Sequence, residues 1–493
     1  MRHLQLIFLV FATSISRAQN TGLFEGHDDV GNVLHKGSLR YDDKTGNYTI
    51  TGSGSNIWFK SDQFQYGWKK MKGNFILQAR GKFLGTGHEA HRKTGWMIRS
   101  SLDTSASMAA ATVHGDGLTS LQYRKKSGED IEETRSAVSA PDVLQLERRG
   151  NRFIMSVAHD GDPYTQTELS DLDLGDEVYV GLFVCAHNKD FEETAVFDNV
   201  RITVPAKENF VPYREYIGSN LELMDIQSGK RDIVYHEPVS LQAPNWSRDG
   251  KFLIYNKQGQ IFHFDLKKRK STLLSTGTVK NNNNDHVLSF NGKMLGLSAT
   301  SPDGKYNSVV YTVPLKGGQP TQITPTGPSY LHSWSPDGKY LIFTGQRNDE
   351  FDIYRVPSTG GEELRLTTNK GLDDGSEYSP DGKYIYFNSV RSGTMQIWRM
   401  NSDGSNQVAL TSDEYNNWFP HVSPDNQWIV FLSFGQDVKP DDHPFYKHVY
   451  LRLMPVDGGK PKVIAYLYGG QGTINTPSWS PDSKRIAFIS NSD

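Results

Sequence analysis

Between residues 246 and 484 the chain returns six times to one short motif: an aromatic or apolar residue, a serine, then Pro-Asp-Gly-Lys or a variant of it. The motif is complete at 334–339 and 378–383. It carries Arg248 in place of proline at 246–251 and is degraded at 288–293. Variants recur at 422–427 and 479–484. Successive serines stand 42, 46, 44, 44 and 57 residues apart, and a period of about 40–50 residues marks a propeller or solenoid. One interval parses into four strands. A short strand enters Ser379, and Pro380-Asp381-Gly382 turns it. A second strand covers 383–388, with Tyr384 and Tyr386 alternating with Ile385 and Phe387. A third covers 396–400 and a fourth 407–410, with turns at 391–393 and 401–404. Proline presets one φ and glycine tolerates positive φ, so these turns suit antiparallel hairpins. Four antiparallel strands make a propeller blade. The sixth motif is followed by one further strand, 485–490, and its missing partners stand before the first motif at 221–225 and 232–235. Six blades, the last closed by both ends of the segment, are predicted; closure removes exposed sheet edges.

The motif, followed by an apolar strand, a turn and an Ile-Tyr-like strand, resembles the repeats of TolB-like six-bladed propellers over residues 218–493. The resemblance implies a fold rather than an activity, because relatives include envelope scaffolds, peptidase propellers and sugar-active proteins. TolB itself carries an α/β domain before its propeller, and no such pattern precedes this one. Residues 19–206 show strand-like runs between Gly-, Asp- and Asn-rich turns, at 58–59, 75–79, 96–99, 108–113, 118–123, 143–147, 153–157, 178–185 and 195–197. The segments 95–102, 181–185 and 195–200 resemble concanavalin-like sandwich modules, which accompany many secreted sugar-active proteins. The expected organisation is all-β: a signal peptide at 1–18, a concanavalin-like β-sandwich at 19–206, a linker at 207–217 and the propeller at 218–493.

The signal-peptide reading rests on Arg2 and His3, a short apolar run at 4–15, and Ser16 and Ala18 at the −3 and −1 positions of a cleavage site before Gln19. It predicts a periplasmic or secreted protein. No run is long and apolar enough for a membrane helix. A net charge of −3 over 493 residues supplies no global field for nucleic acid or an anionic membrane. The single cysteine, Cys185, forms no intramolecular disulfide and reads as a small core side chain.

Candidate site residues follow from strand direction. Each first strand runs toward its Pro-Asp-Gly turn, so its start, the loop between strands two and three, and the connection between blades share the opposite end. There the chain places His286, His332, Asp374, Asn417, Trp418, His421 and Asn475 near first strands. Arg347 and Arg391 lie in two-to-three turns, His443 and His448 in the long loop of the fifth blade, and Gln471 in the last connection between blades. Three readings stay open. The residues form a solvated rim. They bind an acidic or polyhydroxylated ligand, with Arg347, Arg391 and Lys447 meeting carboxylates or hydroxyls and Trp418 stacking on a sugar. Or imidazoles and carboxylates hold a divalent metal, although no His-Glu-x-x-His or paired Cys-x-x-Cys is present. No cofactor is otherwise predicted. Gly-x-Ser-x-Gly is absent, which removes a serine-peptidase reading. Some oligogalacturonate lyases use His- and Gln-lined propellers with a metal, but theirs have seven blades. A second polar stretch lies in the N-terminal unit: His88, His91, Arg92, Lys93, Trp96, Arg99 and 114–117 bind a sugar or form a rim. The leading expectation is an exported module that recognises a glycan or another envelope ligand. The alternatives are a carbohydrate-active lyase or hydrolase and a protein-interaction scaffold.

Overall fold

A computed structural model describes residues 20–493; the predicted signal peptide, 1–18, lies outside the described residues. The described residues are built from strands and turns, with no α-helix among them.

The physical reason for the repeat is visible in its turns. At the third motif Ser335 Oγ donates to Asp337 Oδ1 at 2.6 Å and accepts from the Tyr340 N–H at 2.9 Å. The same Asp337 oxygen accepts from the Lys339 N–H at 3.0 Å. Serine and aspartate thus satisfy the backbone donors that a tight turn leaves open. The degraded motif keeps the arrangement: Ser289 Oγ donates to Asn291 Oδ1 at 2.8 Å, and the Lys293 N–H reaches that oxygen at 3.0 Å. Gly338 and Gly382 both have φ of 73°, and where the motif lacks glycine Asn426 and Ser483 take φ of 56° and 60°. Residues 301–305 form the same turn, Ser301 Oγ donating to Asp303 Oδ1 at 2.6 Å, but between strands two and three of the second blade.

Five four-stranded antiparallel sheets follow in chain order, opening with Leu241–Trp246, Asn282–Leu288, Ser329–Trp334, Asp373–Tyr378 and Asn416–Val422. The sixth blade joins the two ends of the segment: Ser219–Asp225 pairs with Arg485–Asn491 on one side and with Arg231–Glu237 on the other. The predicted closure therefore holds. The sixth motif adds only a single bridge, Trp479 to Ile486. Side chains on the inner strands stitch neighbouring blades together. Asn245 Oδ1 accepts from the Leu288 N–H at 2.9 Å, Glu377 Oε1 from the Val422 N–H at 3.0 Å, and the Trp479 indole donates to the His421 carbonyl at 2.9 Å.

Residues before the propeller form two seven-stranded antiparallel sheets. Alternating residues of both, among them Leu77, Leu146 and Phe197 from one and Trp96, Ile98 and Leu182 from the other, bury one shared hydrophobic core. Of the predicted strand runs, 58–59 is not a strand. The strands Gly26–Val30, Ser38–Asp42, Asn47–Gly52, Phe64–Lys72, Glu132–Arg135 and Thr165–Leu169 complete the sheets. The outer face of the first sheet carries a second apolar cluster around Phe64, Tyr66, Met97 and Phe183. There Asp62 accepts from Arg99 at 2.8 Å and from Arg124 at 2.6 Å, all three fully buried.

The two sheets dock on the propeller. Val143 and Ala158 pack with Val463 and Tyr466, Tyr164 stacks on Tyr466 at 4.1 Å, and Arg201 reaches Glu222 at 3.4 Å. The predicted linker forms no strand, yet it is anchored: Phe210 and Ile217 pack with Phe445 and Tyr446 of the fifth-blade loop.

Candidate functional site

Two of the predicted residues make the centre of the candidate site. His332, on the first strand of the third blade, lies with Nε2 2.9 Å from Asp374 Oδ1 on the first strand of the fourth. The same oxygen accepts from Thr344 Oγ1 at 2.6 Å. Burial disfavours a charged imidazole, but the Asp374 carboxylate outweighs it and raises the His332 pKa. Burial likewise opposes ionisation of Asp374, and the His332 charge overrides it and holds that carboxyl at about 2. Asp285, buried nearby, has the opposite balance: burial pushes it up to about 7, with His332 opposing and Asp374 adding.

A neighbouring group approaches from the fifth-blade loop. His443 Nδ1 lies 2.7 Å from Gln471 Oε1, which also accepts from Asn475 Nδ2 at 2.9 Å. The His443 ring meets Phe419 edge-on at 5.4 Å, and Phe419 in turn lies 6.4 Å from the His332 ring. His332, Asp374, His443, Gln471 and Asn475 thus gather at the end opposite the motif turns, as strand direction requires. Linker and loop aromatics stand beside the same loop, Tyr213 and Tyr216 each edge-on to Phe445 at 5.3 and 5.7 Å.

The other predicted residues are placed differently. Trp418 is fully buried in the core of the fifth blade, so it offers no face for a sugar. Arg347 is held by Glu363 at 2.9 Å, and Arg391 by Asp373 at 2.7 Å and Gln407 at 2.6 Å, so neither is a free cation for a ligand carboxylate. Lys447 reaches Asp437 at 3.7 Å. Asn417 lies inside the fifth blade, accepting from Ser433 at 2.7 Å. His286 is fully buried against the Ile254 carbonyl, and burial pushes its pKa down to about 4. His421 is buried between Glu377, 2.5 Å from Nδ1, and the Ile474 carbonyl. His448 faces the other way and meets Glu147 of the N-terminal unit at 3.1 Å, fastening the two domains. The polar stretch of that unit also divides. Trp96 is core, Arg99 belongs to Asp62, and Arg92 to Glu193 at 2.6 Å, while His91, Lys93 and His114 stay together.

Sequence reasoning passed over Thr344, Phe419 and Glu377, and left Asp285 out of the site. Only Glu377 carried a signal: it stands two before a motif serine, the position from which Asn245 and Ser333 also bond the next blade. Among the described residues no group of three or more His, Cys, Asp or Glu is arranged to hold a metal ion. What this site can do is bind through hydrogen bonds and the fixed His332–Asp374 pair. Cavities lie elsewhere in the molecule. A cavity of about 640 Å³ separates the domains, with Gln78, Gln145, Arg201, Glu222 and Tyr466 on its walls. A smaller one of about 190 Å³ opens at the motif end of the channel, beside Arg248 and Glu377.

The TolB β-propeller domain family matches residues 307–443. An uncharacterized protein of Agrobacterium fabrum is 43% identical over 272 residues, which is 55% of this chain and 92% of that protein. A solved structure of a candidate TolB from Agrobacterium tumefaciens is 41% identical, with a TM-score of 0.54, over 57% of this chain and all of the other. TolB from Acinetobacter baumannii is 22% identical, with a TM-score of 0.41, over 52% of this chain and 64% of the other.

Proposed function

We propose, from the premise that this chain belongs to the TolB-like β-propeller family, that it is an exported recognition protein of the cell envelope whose ligand docks at the propeller mouth. The observation that carries the reading is the convergence of His332–Asp374 with His443–Gln471–Asn475 at one end of the channel. Loops grafted on a rigid scaffold are where such folds bind. The charge pattern refines the ligand. With Arg347 and Arg391 neutralised inside their blades, the mouth favours a neutral or cationic ligand rich in hydrogen-bonding groups over an anionic one. A neutral glycan and a protein segment both meet that description, and the aromatic rim of Tyr213 and Tyr216 suits either. Residues 19–206 are read as a concanavalin-like sandwich that presents or co-binds the ligand, since two sheets over one core are what that module requires. The leader predicted at 1–18 places the protein in the periplasm or outside the cell.

One observation keeps a carbohydrate-active enzyme as the second reading. Asp285, buried and pushed up to about 7 near His332, has the protonation range of a general acid or base. A glycan-array binding assay with product analysis of each hit tests both. Binding without turnover is the expected result; new reducing ends or unsaturated products favour the enzyme. Silence on the array overturns the glycan and directs the search to a protein partner.

A further inference from the structure

A second group of unused polar side chains lies far from the propeller in sequence, on the outer face of the first sheet of the N-terminal domain. Lys93 pairs with Cys185 on one neighbouring strand and with His114 on the other, so the three side chains stand abreast on one face. Lys93 is only 2% exposed. Its Nζ lies 3.1 Å from Asn56 Oδ1 and 3.5 Å from His187 Nδ1. Among the described residues no carboxylate comes within 4.0 Å of it. A buried ammonium without a counter-charge is costly. The neighbouring histidines offer no compensation: burial and the Lys93 charge together hold His114 down to about 4, and the same two causes lower His187. Lys93 thus has no carboxylate in contact; Glu133 and Asp62 act on it only from farther away, and burial lowers its pKa.

The rim supplies the remaining contacts. His91 is exposed, and its ring meets those of His114 and His187, each at 5.6 Å between centroids. Trp58 is partly exposed, with Lys93 Nζ 6.0 Å from its ring centre. His114 is braced from beneath by Gln122, 3.0 Å from Nε2. A buried cation, imidazoles at hydrogen-bonding depth and an indole at the edge form a set that takes a carboxylate, hydroxyls and the apolar face of a ring. We propose that this patch is a separate binding site for a carboxylate-bearing saccharide. Lys93 meets the carboxylate, Asn56, His91 and His187 the hydroxyls, and Trp58 the ring. The site does not depend on the propeller mouth, whose charge pattern disfavours anions.

Calorimetric titration of the full chain tests this with three probes: a glucuronate-bearing disaccharide, its neutral glucose counterpart and inorganic sulfate. The glucuronate probe is expected to bind about tenfold or more tightly than the neutral one, the worth of one charge-assisted contact. Lys93→Met should remove that preference, and Trp58→Ala should weaken the glucuronate and neutral probes alike. The mouth variant His332→Ala/His443→Ala should leave glucuronate binding intact, which separates failure of this site from failure of the mouth. If Lys93→Met does not fold, the rim pair His91→Ala/Trp58→Ala takes its place. Equal affinity for the two disaccharides, no glucuronate binding, sulfate binding as tightly as glucuronate, or retained preference in the variants each overturns the assignment.

Discussion

The propeller and the N-terminal domain both bury charged side chains, but they settle them differently. In the propeller, cations near the blade seams find carboxylates within the repeat: Arg347 with Glu363, Arg391 with Asp373, Arg452 with Asp413. The outer face of the first N-terminal sheet holds two extremes a short distance apart in sequence. Asp62 is shared by two buried guanidiniums, and Lys93 has no carboxylate in contact, feeling Asp62 and Glu133 only from a distance. The contrast teaches that residue type marks where charge sits, whereas the folded partners decide whether that charge is structural or available. A satisfied pair stabilises or merely holds register, while an unsatisfied group waits for a ligand.

The largest expected effect is in the N-terminal domain. Asp62→Ala leaves Arg99 and Arg124 buried without an anion and should cost about 3–5 kcal/mol, read as a drop in the denaturant midpoint. If the loss falls below about 1 kcal/mol, the range of an exposed pair, the triad is not what pins that face. Next comes a buried histidine in the propeller. His421→Ala removes the partner of both Glu377 and the Ile474 carbonyl and leaves the carboxylate buried; the expected loss is about 2–3 kcal/mol. Arg391→Met should cost somewhat less, about 1–2 kcal/mol, because the aliphatic chain still covers Phe387 and Trp398 and the buried Asp373 keeps Ser389 and Thr367 beside it. A larger loss for Arg391→Met than for His421→Ala means that the remaining partners of Asp373 do not compensate for the arginine.

A further effect is a dependence on pH. Asp285 has a folded pKa of about 7, above its unfolded value of about 3.9. A raised carboxyl contributes stability below the unfolded pKa and loses it as pH rises through the folded one, so stability should decline between about pH 4 and 7. His332, also raised, adds a decline in the same direction at higher pH, as its proton leaves. Asp374, held at about 2, contributes in the opposite sense: its share is present above about pH 4 and is lost as pH falls toward 2. Asp285→Asn should flatten the slope between pH 4 and 7, measured as melting temperature across that range; an unchanged slope means that Asp285 does not titrate there.

The six blades and their closure were legible because each turn is local. Serine, aspartate and a residue tolerant of positive φ solve one backbone problem within six residues, and the solution repeats. Three short blade-closing strands and several N-terminal strands were less legible. Thr321–Gln322, Leu364–Arg365 and Val408–Ala409 are two residues each, too short to leave a period, and Phe64–Lys72 mixes lysines with its buried aromatics. At the site, strand direction assigns His332, Asp374, His443, Gln471 and Asn475 to one end, and the hydrogen bonds join them as His332–Asp374 and His443–Gln471–Asn475. It could not show that Trp418 turns into the core or that Arg347 and Arg391 meet acids sixteen and eighteen residues away in sequence, on other strands or turns of their own blades. Those outcomes depend on which of two alternating faces is buried and on long-range partners.

Recognition at the propeller mouth is tested most directly by comparing three proteins on the same glycan array: the wild type, His332→Ala/His443→Ala, and Arg347→Met/Arg391→Met. The mouth double variant should lose the wild-type signal while keeping most of its melting temperature, and the arginine variant should keep the signal. Undiminished binding by the histidine variant, or loss of binding by the arginine variant alone, would contradict the placement of the ligand at the mouth.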